Sequence, residues 1–268
     1  MNRFINAKRV VIKIGTTTLT HGGGLVNYRR IEHLVKTIAD LKNAGHEIVL
    51  VSSGAIGVGM GELGLDVRPT DMPTKQACAA VGQCELMYIY DKLFGEYHHS
   101  VAQVLLTRDV LDNESRRQNV VNTFDRLLEF GVVPIVNEND VVSTEEILDG
   151  INFGDNDSLS AVVAVVVHAD VLVLLSDIDG LYTANPREDP TATLIPVVEN
   201  IAEVEAAAGE SSSIFGRGGM ITKISAAKTV CAAGIDMAII NGANPGLMYE
   251  LFDGHPVGTH FIGGPRDV

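Results

Sequence analysis

Short runs that are apolar almost throughout alternate along the 268 residues with longer stretches in which apolar residues recur every three or four positions. The short runs read as strands buried on both faces, and the longer stretches as helices lying against them. Six runs qualify as strands: Arg9 to Ile14, Glu47 to Val51, Val101 to Leu106, Val132 to Val136, Val171 to Leu175 and Met237 to Ile240. Between the first two, Ile31, Leu34, Val35, Ile38 and Leu41 mark a helix closed by Gly45. Further helices are predicted near Lys75 to Tyr97, Ser115 to Phe130, Ser158 to His168 and Met220 to Ala233, with Gly131 and Gly234 as stop signals. This alternation predicts an α/β fold with a mostly parallel sheet covered by helices on both faces. No internal repeat, low-complexity tract or linker divides the chain, so residues 1–268 read as a single domain.

Charge and cysteine usage narrow the function. Twenty Lys and Arg against 34 Asp and Glu give a net charge of −14, a field that repels nucleic acid and anionic lipid. The most apolar stretch, Leu159 to Leu175, is broken by Ser160, His168 and Asp170, short of the roughly 20 residues a membrane span needs. Lys13 interrupts the first apolar run, so no signal peptide is read. Cys78, Cys84 and Cys231 are odd in number and lack metal-ligand spacing, which fits a reducing cytosol. The expectation is a cytoplasmic protein with no nucleic-acid or membrane partner and no metal site built from its own side chains.

In an open α/β sheet, chemistry collects beyond the carboxyl ends of the strands. Lys13 lies inside the first run, just before Gly15-Thr16-Thr17-Thr18. A buried lysine is costly without an anion, but an edge-strand lysine reaching solvent would look the same, and this segment alone does not choose. Ser52-Ser53-Gly54 ends the second run and opens a helix, whose first N–H groups attract anions. Gly59 to Gly64 matches G-x-G-x-x-G, but a dinucleotide fingerprint must follow its strand at once, and Gly59 lies eight positions past Val51.

Asn137-Glu138-Asn139-Asp140 closes the fourth run. Its Asp140 could grip a substrate amine, or the cluster could be an Asx-rich turn satisfying its own backbone. Gly154-Asp155-Asn156-Asp157-Ser158 directly precedes an apolar helix, and N-capping accounts for one of its polar residues rather than four. Ser176-Asp177 ends the fifth run. Further on, Gly216-Arg217-Gly218-Gly219 leads into a helix with Lys223 about one turn in, a candidate phosphate cradle that lacks Walker A spacing.

In order, the chain contains K-x-G-T at Lys13, V-S-S-G-A-I at Val51, N-E-N-D at Asn137, G-D-N-D at Gly154, S-D-x-x-G-L-Y-T at Ser176 and G-G-M-x-T-K at Gly218. With these motifs it resembles the glutamate 5-kinases of the amino-acid kinase superfamily, from about Lys8 to Gly258. The resemblance implies a three-layer α/β/α sandwich that moves the γ-phosphoryl of MgATP to the side-chain carboxylate of L-glutamate, the first step of proline synthesis. It assigns glutamate to roughly residues 1–165, through Ser53, Asp140 and Asn156. It assigns ATP to roughly residues 166–260, through Ser176, Asp177, Arg217, Gly218, Gly219, Met220, Ile221, Thr222 and Lys223, joined by Lys13. Lys13 and Lys223 would clamp the transferring phosphoryl while Asp157 orients them. Proline would be the feedback inhibitor, the assembly a dimer or tetramer, and the chain a short form without a C-terminal RNA-modification-type domain. Arg217 stands where threonine is common in the family. A carboxylate nucleophile is already ionised at neutral pH, so such a reaction needs no general base.

Overall fold

All six apolar runs are strands of one eight-stranded sheet in the computed structural model, which describes residues 3–107, 112–142, 156–186, 188–204 and 219–265. In chain order the elements are β1 (Arg9–Ile14), α1 (Thr16–Leu19), α2 (Tyr28–Asn43), β2 (Glu47–Ser52), α3 (Ala55–Glu62), α4 (Met72–Gly95), β3 (Val101–Leu106), α5 (Glu114–Glu129), β4 (Val133–Glu138), α6 (Asn156–Val166), β5 (Val171–Ser176), β6 (Val197–Val198), α7 (Gly219–Ala232), β7 (Asp236–Asn241), α8 (Leu247–Phe252) and β8 (Thr259–Phe261). The sheet runs β3-β4-β2-β1-β5-β7-β8-β6. Its pairs are parallel except β7 with β8. The carboxyl ends of β1, β2, β4, β5 and β7 therefore share one edge, and the strand order turns back across β1, with β2 on one side and β5 on the other. Such a turning point opens a crevice for ligands.

Two apolar layers sandwich the sheet. Along β1, Val11 faces a core that includes Leu159 and Val163 of α6, Phe124 of α5 and Ile224 of α7. Val10, Ile12 and Ile14 face the opposite core, with Ile31 and Leu34 of α2, Val58 of α3, Tyr90 of α4 and Met248 of α8. The two-residue period of a strand thus gives Lys13 the parity of Val11 and aims it at the α6 layer. By the same parity Ser52 of β2 and Asn137 of β4 share the face of Ile48, Leu50 and Ile135, which α4 covers.

Gly45, Gly131 and Gly234 end their helices with positive φ, as the stop signals require. The G-x-G-x-x-G segment has a structural job. A Cβ at Gly59 would lie 1.8 Å from the carbonyl oxygen of Cys78, and one at Gly82 would lie 1.8 Å from that of Ala55. These glycines let the backbones of α3 and α4 touch, which seats α4 tightly against the end of β2.

The remaining differences from expectation have local causes. Helix α6 begins at Asn156, two residues before Ser158, so Asn156 and Asp157 belong to its first turn rather than to the loop ahead of it. Helix α4 begins at Met72, because Asp71 caps it by accepting from the Thr74 N–H at 2.9 Å and Pro73 sits in its first turn. Strands β6 and β8, of two and three residues, are too short to show a period.

Candidate active site

Lys13, Asp157 and Lys223 converge at the crevice. Lys13 Nζ lies 2.6 Å from Asp157 Oδ1, and Lys223 Nζ lies 3.0 Å from Oδ2. The Thr222 hydroxyl donates to Oδ2 as well, at 3.1 Å. Asp157 is only 2% exposed and Lys13 9%. Burial opposes ionisation of Asp157, but the charges and hydrogen bonds of the two lysines outweigh it and hold the carboxyl below the usual carboxylate range. Two ammonium groups share one carboxylate, so the cluster keeps one positive charge at the crevice in a chain of net charge −14. An anion is the complement to that arrangement. Lys223 also donates to the carbonyl of Gly219 at 3.1 Å, reaching back one turn along α7.

Next to this charged cluster lies a neutral one. Asn156 Nδ2 donates to Ser53 Oγ at 2.8 Å and to Asn137 Oδ1 at 3.1 Å. Asn137 Nδ2 in turn donates to Gln83 Oε1 at 3.1 Å. Below them the Ser52 and Tyr90 hydroxyls are 2.9 Å apart, and burial raises the pKa of the Tyr90 hydroxyl, keeping it protonated. Asn156 therefore bridges layers: it starts a helix on one face of the sheet and reaches over the strand ends to residues served by α4 on the other.

A cavity of about 400 Å³ opens beside this network, lined by Gln83, Cys84 and Met87 of α4, Gln103 of β3, and Glu138 and Asp140. Burial, reinforced by the negative charge of Glu138, pushes the Asp140 carboxyl up to about 6. Two acids sharing a half-buried pocket suit a cationic group that would relieve their repulsion. Ser176 and Asp177 sit at the end of β5, with the Ser176 hydroxyl 3.4 Å from Asp177 Oδ1 and the Ser176 carbonyl accepting from the Gly242 N–H at 2.7 Å.

The sequence model of the amino acid kinase family matches residues 8–241. The chain belongs to this family. It is 54% identical over 258 residues to the glutamate 5-kinase of Clostridium perfringens (strain 13 / Type A), covering 96% of each chain. Against the glutamate 5-kinase of Enterococcus faecalis (strain ATCC 700802 / V583) it is 49% identical over 267 residues, 99% of this chain and 98% of the relative. The carbamate kinase from Giardia lamblia bound to AMP-PNP superposes with a TM-score of 0.69 at 18% identity, covering 97% of this chain and 100% of that one. The UMP kinase from Bacillus anthracis gives 0.66 at 17%, over 97% of both chains. At those identities the likeness is one of amino acid kinase fold.

The expected site residues of this amino acid kinase are placed as follows along the crevice. Lys13, Thr222 and Lys223 all contact Asp157, and Ser53 meets Asn156. Asp140 follows β4 and lines the cavity, while Ser176 and Asp177 sit at the end of β5, with β2 and β1 between those two strands. Met220 points into the core beside Ile224, whereas Ile221 is exposed, so any role of these two toward a nucleotide falls to their backbone. Arg217 and Gly218 lie outside the described residues. Two participants are new: Asn137, which belongs to the polar run but was not singled out, and Gln83. Gln83 interrupts the apolar stripe of Ala79, Leu86 and Tyr90 on α4, and a polar residue on the margin of a buried stripe is the signal that could have found it.

Proposed function

We propose that this amino acid kinase phosphorylates the side-chain carboxylate of L-glutamate with ATP, giving L-glutamyl 5-phosphate as the first step of proline biosynthesis. The observation that carries the reading is the buried Asp157 held between Lys13 and Lys223 beside the Ser53–Asn156 pair, in a chain 54% identical to a glutamate 5-kinase. In this reading a carboxylate oxygen of glutamate attacks the γ-phosphorus. The bond from that phosphorus to the bridging oxygen breaks, and ADP leaves with the electron pair. No proton moves, so the chain needs no base. Its work is to bring two anions together and stabilise the charge that spreads over the transferring phosphoryl, the task of Lys13 and Lys223.

Asp157 positions the lysines. Each of its oxygens already meets an ammonium group, so it is poorly suited to a divalent ion, and Mg²⁺ in this reading arrives with the ATP phosphates. Ser176, Asp177 and the Gly219–Lys223 turn serve the nucleotide. Asp140 receives the α-ammonium of glutamate, which favours a free amine over an acetylated one, since an amide would leave the carboxylate unpaired. The resemblance adds proline as feedback inhibitor, a dimeric or tetrameric assembly and a cytoplasmic location.

The test is ADP release from MgATP with L-glutamate, N-acetylglutamate, aspartate and UMP in parallel, with hydroxylamine trapping any acyl phosphate. ADP and hydroxamate in equal amounts with glutamate alone are expected. Turnover of another acceptor, or binding of glutamate without turnover, would defeat the proposal.

A further inference from the structure

An Asn or Gln amide offers two nearly isosteric ends, so only its hydrogen-bond partners decide which end faces a ligand. In the neutral network that choice propagates. Gln83 Oε1 accepts from Asn137 Nδ2, which leaves Asn137 Oδ1 facing Asn156, whose Nδ2 then donates to it and to Ser53 Oγ, with the Ser52 carbonyl a longer third acceptor at 3.4 Å. Because the Ser53 oxygen is already an acceptor, its O–H is the group left to give. The Asn156 carbonyl oxygen, correspondingly, is the end left to receive. Reversing Asn137 would set two N–H groups against each other at 3.1 Å and leave Asn156 Nδ2 held only by the Ser53 hydroxyl and, at 3.4 Å, by the Ser52 backbone carbonyl, weakening both settings.

We infer that Gln83, a residue of α4 outside the charged cluster, is a positioning residue that sets the hydrogen-bond polarity of the acceptor-substrate site, presenting Ser53 as a donor to a substrate carboxylate and Asn156 as an acceptor. The inference deepens the glutamate kinase reading and rests on it. Two features fit this role. Gln83 follows Gly82, whose contact with Ala55 fixes the height of α4 over the end of β2. One helical turn away on each side, Ala79 and Leu86 are each 2% exposed, so Gln83 rises from the buried margin of α4 into the cavity wall. The α4 wall is thus part of the recognition apparatus as well as of the scaffold.

The decisive experiment measures KM for glutamate and for ATP by hydroxamate formation in Gln83→Met, which keeps the volume and removes both polar ends, in Asn137→Ala, and in the double variant. Gln83→Met should raise the glutamate KM on the order of 10-fold, the effect of one orphaned buried donor, with the ATP KM unchanged and kcat less affected. The same change in the Asn137→Ala background should have almost no further effect, because the action runs through Asn137. Gln83→Glu, which keeps an acceptor oxygen toward Asn137, should stay within about 3-fold of the wild-type glutamate KM, and it carries the test if the Met variant does not fold. An unchanged glutamate KM in folded Gln83→Met, a parallel rise in the ATP KM, additive effects in the double variant, or a large rise in Gln83→Glu would each overturn the inference. Wild-type protein without glutamate-dependent hydroxamate would fell the parent reading as well, whereas active wild type with an indifferent Gln83→Met strikes the inference alone.

Discussion

The two halves of the crevice solve opposite problems with opposite materials. On one side Lys13, Asp157 and Lys223 form a charged cluster whose value is field strength, tolerant of small displacements because Coulomb attraction falls off slowly. On the other, Ser53, Asn156, Asn137 and Gln83 form an uncharged chain whose value is direction, since a neutral hydrogen bond fails when its geometry is lost. Rate should therefore depend most on the first, and choice of acceptor on the second.

The largest expected effect tests the charged side. Lys13→Ala and Lys223→Ala should each lower kcat roughly 10² to 10³-fold, about 3 to 4 kcal/mol, in protein that still binds glutamate. Steady-state hydroxamate assays check this, and near-normal turnover in either variant would remove that lysine from the clamp. Next comes the scaffold beneath the neutral side. Gly59→Ala forces a methyl group into the Cys78 carbonyl, with an expected stability loss of about 1 to 3 kcal/mol in urea unfolding; full stability would mean that α3 and α4 part easily.

A smaller effect is expected at Asp140, where the two sides' roles can be told apart. Asp140→Ala should raise the glutamate KM while sparing that of ATP. In the wild type the carboxyl titrates near 6, so glutamate binding should weaken as pH falls through that value, and Asp140→Asn should flatten the profile. The stability sign runs the other way. With a folded value near 6 against an ordinary 3.8, the folded protein holds the proton more tightly, and ionisation above about 6 works against folding. Asp140→Asn should therefore raise Tm at pH 7.5, with the gain shrinking from pH 6 toward 4; a Tm gain of equal size at all pH values would contradict this origin. The smallest change is Tyr90→Phe, which removes one buried hydrogen bond to Ser52 and should cost about 1 kcal/mol with no change in kcat.

The contrast also explains what could be read from the chain. Strands buried on both faces have to be apolar almost throughout, which made β1, β2, β4, β5 and β7 plain and made Lys13, near the end of its run, stand out. Strand β3, expected to be buried likewise, is an edge strand with Gln103 exposed and was legible from its Val and Leu residues alone. The two others, β6 at the edge and β8 beside it, have too few residues for a pattern. Helix α3 carries three glycines in eight residues and owes its form to contact with α4 rather than to its own propensity, which is why its glycines imitated a nucleotide loop. Charged site residues betray themselves because burying them needs a reason. Gln83 and Asn137 are uncharged, and their importance lies in partners 54 positions apart, which no local window connects.

One covalent detail links the two sides. Asn156 and Asp157 are successive residues, so the neutral chain and the charged cluster are joined through a single trans peptide unit that spaces its Cα atoms about 3.8 Å apart. That unit is a gauge block. Its length is set by bond chemistry, unaffected by how well the surrounding layers pack, and temperature or a distant substitution can tilt it without stretching it. Whatever shifts the first turn of α6 must carry both measuring faces together, which preserves their separation even when the rest of the crevice breathes.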